Sequence, residues 1–153
     1  MLTSRIAQRI ADEVMSGLGY NVNVMNDRGV IIGSGSKSRI GSFHETAMRV
    51  IESGETIMVT EKEAVALFGV RPGINMPIKS NGTVVGVVGI TGDPEEIKGV
   101  AQLVRMAAEL IVEQEENTYR FFMHRNDKNA FVISLLNDAA SGNIKGISNW
   151  ALE

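Results

Sequence analysis

The stretch GVRPGINMPI, Gly69 to Ile78, holds an arginine in a rigid frame. Pro72 restricts Arg71 toward an extended backbone, and Gly73 permits an unusual backbone angle. Ile74 and Asn75 follow directly. A guanidinium fixed beside an amide that both donates and accepts suits a small carboxylate, because the forked contact is bidentate and charge-assisted. The bland alternative is a surface arginine in a loop. Arg39, in SRIGS, has a similar setting ahead of Ile40 and Gly41. Alone it reads as a solvated side chain. Together, arginines in two glycine-flanked loops suit a ligand with an anionic end. His44, one helical turn into the next element, either adds a hydrogen bond or is an ordinary helix-surface residue.

Other chemistries find little support. Two histidines without any cysteine do not make a convincing zinc site, and HETAM at His44 lacks the second histidine of a metalloprotease helix. GSGSKS, Gly33 to Ser38, lacks the glycine spacing of a phosphate loop and the third glycine of a dinucleotide fingerprint. It reads as a glycine-bearing loop after a strand, with Ser34 and Gly35 as weaker ligand contacts. Gly86, Gly89 and Gly92 recur every third residue in an apolar strand, where glycine admits close approach of a packed helix or a ligand. Thr91 and Gly92 join the weaker candidates. No base–nucleophile pair is evident, so the expectation is a binding protein, not an enzyme, with no cofactor and no metal.

The elements that must position these residues follow from periodicity. Leu2, Ile6, Ile10, Val14 and Leu18 make one apolar helix face, closed by Gly17 and Gly19. Tyr20 to Met25 alternates as a strand, Asn26 to Gly29 is a turn, and Val30 to Gly35 is the return strand. A polar loop leads to a helix over Phe43 to Ser53, stopped by Gly54. A short β-like stretch at Thr56 to Thr60 and a small helix over Glu61 to Phe68 precede the arginine frame.

Asn81-Gly82 is a strong hairpin signal. Folding there pairs Ile78 with Val85 and Met76 with Val87, and the apolar run Val84 to Ile90 reads as a central strand covered on both faces. Asp93-Pro94 opens a long helix predicted to reach about Met123. Ile97, Val100, Val104, Ala107, Ile111, Gln114, Thr118 and Phe121 follow a 3-4 spacing along it. That stripe either packs on the chain's own sheet or meets an identical helix in a dimer. Asp127 caps a last predicted helix, Lys128 to Ala140, ending at Gly142. Two hairpins around a helical insert indicate an α+β fold: one antiparallel sheet flanked by helices.

Bulk composition agrees. The 153 residues are 44% hydrophobic and 22% charged, as in ordinary globular domains. A net charge of −3 offers no basic surface for nucleic acid. The absence of cysteine fits a reducing compartment, and no signal peptide or membrane span is evident.

Four segments carry a family resemblance: MNDRGVIIGSG, RIGSFHETA, GVRPGINMPI and VVGVVGITGDPEEI. Over roughly Leu2 to Gln114 the chain resembles the sugar diacid recognition domain at the N-terminus of bacterial carbohydrate diacid regulators. The resemblance implies a cytoplasmic transcriptional regulator sensing glucarate, galactarate or the hydroxy acid glycerate, on a PAS- or Cache-like sheet. Residues 1–114 would be the sensor, and 115–153 a helical linker toward a DNA-binding region. The carried-over pocket candidates are Arg39, Ile40, Gly41, His44, Arg71, Gly73, Ile74 and Asn75. Nothing after Phe121 resembles a helix-turn-helix, and the close at SNWALE reads as an excised sensor. The alternatives are a dimerisation module without ligand and a small enzyme acting on hydroxy acids.

Overall fold

The computed structural model describes residues 1–141, which fall into two units, residues 1–115 and those from Glu116 onward. The first element, α1 (Ser4–Leu18), starts where the Thr3 hydroxyl accepts the Ile6 N–H. It ends at Gly19, whose left-handed φ of 73° lets its N–H reach the Met15 carbonyl. Next come β1 (Val22–Met25), β2 (Ile31–Ser34), a 3-10 turn at Lys37–Arg39, and α2 (Glu45–Ser53). The chain continues through β3 (Ile57–Val59), α3 (Glu61–Ala64), β4 (Gly73–Ser80), β5 (Thr83–Thr91) and α4 (Pro94–Ala140).

The five strands form one antiparallel sheet in the order β2-β1-β5-β4-β3. The apolar run Val84 to Ile90 is therefore the central strand, as its two-sided hydrophobicity predicts. On one face Ile6, Ile10 and Val14 of α1 and Ile97, Val104 and Ile111 of α4 cover Val22, Val24, Ile74, Met76, Val88 and Ile90. Each such side chain taken out of water contributes roughly 1.5–3 kcal/mol. The other face is more thinly covered, by Ala47 and Val50 of α2 over Met25, Ile31 and Val87. That thinner layer leaves room for polar groups.

The structure corrects several expectations. Asn81 and Gly82 take the positive φ values of the predicted turn, 50° and 78°. An irregularity between Ile78 and Lys79 then shifts the register, so Ile78 lies opposite Gly86, and Met76 opposite Val88. α2 begins at Glu45, with His44 as its cap. α3 is one turn only. α4 runs unbroken through Asp127 to Ala140. Asn126 and Asp127 are weak helix formers, but each costs only about 0.7 kcal/mol, and no proline or glycine lies between Asn126 and Ala140. Gly142 lies outside the described residues. Ile97, Val104 and Ile111 are buried within residues 1–115, so this part of the predicted dimer stripe packs on the chain's own sheet.

β3 covers only Gly73–Asn75 of β4, and Pro77 lies beyond it. Past that point Glu109 of α4 accepts the Lys79 N–H through Oε1 at 3.0 Å. At the far end of α4's packed half, Glu115 accepts from Arg5 and Arg9 of α1, each at 2.7 Å.

Candidate ligand-binding site

Register brings Ser34, Asn23, Gly89, Asn75 and Ile57 into one row across all five strands. Residues in such a row share a face, here the one away from α1 and α4. Asn23 and Asn75 flank Gly89 at the sheet's centre, and a Cβ on Gly89 would stand 2.6 Å from Asn75 Oδ1. Glycine is therefore required to keep this floor open. The Asn75 side chain is 3% exposed, and no described residue hydrogen-bonds its amide. Its amide therefore opens onto the cavity, with both donor and acceptor available to a guest.

Loops bring the rest. Arg39, His44 and Arg71 line the same small cavity as the two asparagines, together with Gly73 and Thr91. Arg39 Nη2 donates to the Gly69 carbonyl at 2.7 Å, which ties the first arginine loop to the start of the second. Among the described residues neither Arg39 nor Arg71 forms an ion pair. Desolvation, then the nearby Arg71 guanidinium, push the Arg39 pKa down. Two like charges without a counter-charge raise the energy of the empty site and favour an anion.

His44 is 4% exposed and caps α2 by accepting the Ala47 N–H at Nδ1, 3.3 Å away. Its pKa falls to about 4, first through burial and then through repulsion by Arg39, against the opposing effect of its own backbone hydrogen bond. The ring is therefore neutral at pH 7, and because Nδ1 accepts, its proton sits on Nε2 as a further donor. No carboxylate lines the cavity. The free space is about 10 Å³, room for the centre of one water molecule. A wider hollow of about 710 Å³ adjoins it at Thr91. That hollow sets one cation, Lys62, against two carboxylates, Glu61 and Asp93, beside Val65 and Pro72, so its charged lining is net negative and does not suit an acid.

Arg39, His44, Arg71, Gly73, Asn75 and Thr91 thus come together. The other candidates lie elsewhere. Ile74 points its side chain into the α1–α4 layer. Ile40 is exposed, and Gly41 holds the loop by donating its N–H to the Ile31 carbonyl at 2.8 Å. Gly92 lines the wider hollow. Gly35 bonds the Val22 carbonyl, with Met15 and Asn21 beside it. Ser34 is buried against Asn23. Asn23 is not among the contacts expected from the sequence, and Gly89 is expected only as one of three strand glycines admitting a packed helix or a ligand. The signal for Asn23 is an amide enclosed by apolar strand residues, Val22-Asn23-Val24, matching Ile74-Asn75-Met76.

The family described as "Putative sugar diacid recognition" matches residues 2–135. The chain belongs to this family. Within it, the chain is 37% identical over 150 residues to the carbohydrate diacid regulator of Escherichia coli, covering 98% of this chain and 38% of that protein. The chain thus spans less than two-fifths of that relative's length. The fold of this family member is similar to solved GAF domains. One is the A. aeolicus nlh2 GAF domain in an inactive state, at TM-score 0.56 and 16% identity, covering 75% of this chain and 87% of that one. Another is the cofactor-binding GAF domain of the nutrient sensor CodY from Clostridium difficile, at TM-score 0.51 and 15% identity, covering 69% and 83%. At such identities the likeness speaks to the fold. The α+β expectation of one antiparallel sheet with flanking helices is borne out, with GAF domains as the solved likenesses where PAS- or Cache-like ones were expected.

Proposed function

We propose that residues 1–114 are the sensing domain of a cytoplasmic transcriptional regulator, and that they bind a sugar diacid or small hydroxy acid such as glucarate, galactarate or glycerate. Supporting this is the convergence of Arg39 and Arg71, unpaired by any described carboxylate, on a cavity floored by two buried amides. Membership of the sugar diacid recognition family points the same way. An acid is larger than the present cavity, and Arg39 gains by leaving the Gly69 carbonyl for it, exchanging a neutral acceptor for a charged one. The site reads as a binder, because its lining is dominated by hydrogen-bond donors suited to an anion. No described helix is long and apolar enough to cross a membrane.

Titration calorimetry of the chain against glucarate, galactarate, glycerate and glucose tests this. The acids are expected to bind and raise the melting temperature, a ligand at 100 times its Kd adding roughly 2.7 kcal/mol. Equal binding of glucose and glucarate would exclude an anion-selected site.

The signal leaves, in this proposal, through α4 and a two-fold dimer, with residues 115–153 linking to a DNA-binding region. Leu103, Met106 and Leu110 are exposed on the packed half of α4, and Tyr119, Phe121 and Phe122 are exposed further on. Such surfaces in water favour a partner, and a second copy of the chain is the simplest. Analytical ultracentrifugation is expected to show a dimer at micromolar concentration and a folded monomer for the double variant Leu103→Asp, Leu110→Asp. A monomeric parent would remove this route.

A further inference from the structure

We propose that Asn23 is a further donor to the acid, and that the Ser34 hydroxyl fixes its amide with the NH2 group toward the cavity. This rests on the anion-binding role assigned to the site above.

The amide's orientation follows from a chain of bonds that begins at the backbone. Gln8 of α1 accepts the Ser34 N–H at Oε1, 3.1 Å, and donates from Nε2 to the Ser34 carbonyl at 3.0 Å. Backbone polarity leaves only one way to seat that side chain. Ser34, 1% exposed, accepts the Ser36 N–H at Oγ, 3.0 Å away. Its own proton needs a buried acceptor, and Asn23 Oδ1 lies at 2.6 Å. That separation belongs to O–H···O bonds and is shorter than N–H···O bonds usually are. The carbonyl of Asn23 is therefore engaged by Ser34, and Nδ2 is left for the cavity that Asn23 lines. No described residue accepts from it.

The consequence is a division of labour between the two amides. Asn23 can only donate, as can Arg39, Arg71 and His44 Nε2, so these groups suit carboxylate oxygens. Asn75 has neither end engaged, so it can accept from an acid's hydroxyl as well as donate. Ser34 acts as a positioning residue: it touches no ligand, yet its hydroxyl sets which end of Asn23 meets it, while Gln8 holds the Ser34 backbone in place.

The test compares glycerate, glucarate and glyceramide by titration calorimetry on the parent, Asn23→Asp, Asn23→Ala and Ser34→Ala. Asn23→Asp replaces a donor with a negative charge and is expected to weaken both acids by at least about 30-fold. Ser34→Ala frees the amide to turn and is expected to lower the preference for glycerate over glyceramide about fivefold to tenfold, the range of one hydrogen bond. A purely structural role for Ser34 would weaken acid and amide alike and leave that ratio unchanged. If Asn23→Asp fails to fold, Asn23→Ala is read in its place, with about a tenfold loss expected. An unchanged ratio in Ser34→Ala, or Asn23 variants within twofold of the parent, overturns the proposal. If Arg71→Ala still loses the acids in that case, the anion site survives without Asn23. A parent that binds none of the probes removes both.

Discussion

Arg71→Ala is expected to weaken glucarate or glycerate binding by at least about 100-fold, with little change in fold stability. A charged hydrogen bond contributes roughly 1.5–3 kcal/mol, and a fork makes two, so even the low end reaches that factor. Stability should stay within about 0.5 kcal/mol, because Arg71 is exposed and forms no ion pair among the described residues. Its removal also relieves the repulsion on Arg39. Arg71→Lys should restore little, since an ammonium lacks the planar pair of donors. Calorimetry decides: parent-like binding by Arg71→Ala would show that this loop does not hold the acid.

The second large effect is acid sensitivity through His44. Its pKa is about 4 in the folded chain, below the ordinary 6.5. Between those values the unfolded chain binds more protons, so stability is complete above pH 6.5 and falls as the pH drops toward 4. The full loss amounts to about 3 kcal/mol. Glu45, held low first by the Phe68 N–H and then by Arg49, contributes the same sign, as does Glu115, held low by Arg5 and Arg9. These carboxylates act below their ordinary 4.5, so pH 5 to 6.5 isolates the histidine. Urea unfolding at pH 5, 6 and 7 is expected to show the parent losing about 2 kcal/mol across this interval. His44→Asn keeps an N-cap acceptor and should flatten the dependence. A parent whose stability does not change between pH 7 and 5 would mean the ring is not buried neutral.

Much of the fold was legible because its signals are local. The four-residue recurrence from Leu2 to Val14, the Asn81-Gly82 turn and the two-sided apolar run of β5 each specify their element from neighbouring residues. Arg39 and Arg71 were legible for the same reason, since proline and glycine frame them within a few positions. What escaped depends on distant parts of the chain. Asn23 becomes a site residue only because β5 places Gly89 beside it and Asn75 beyond, and that row spans the whole sheet. His44 reads as a helix residue until the Gly29 carbonyl takes its N–H and the roof closes over it. The stripe from Ile97 to Ile111 has the period of a helix interface, but periodicity says nothing about whether the surface it meets is a sheet or a second helix. The missed register of β4 and β5 traces to the irregularity after Ile78, which no turn signal encodes.

The short reach of β3 has a consequence for how the chain behaves in a crowded solution. Beyond Asn75, β4 is a bare margin of the sheet, the kind of border onto which a stray strand could zip. Two features blunt it. Pro77 carries no N–H to lend to an incoming strand, and the N–H of Lys79 is already taken by Glu109. An intruder meeting this border finds alternate rungs missing from the ladder. The half of β4 that helps form the binding cavity is sheltered by β3, and the other half is protected chemically, so the sheet can remain five strands wide without recruiting a sixth.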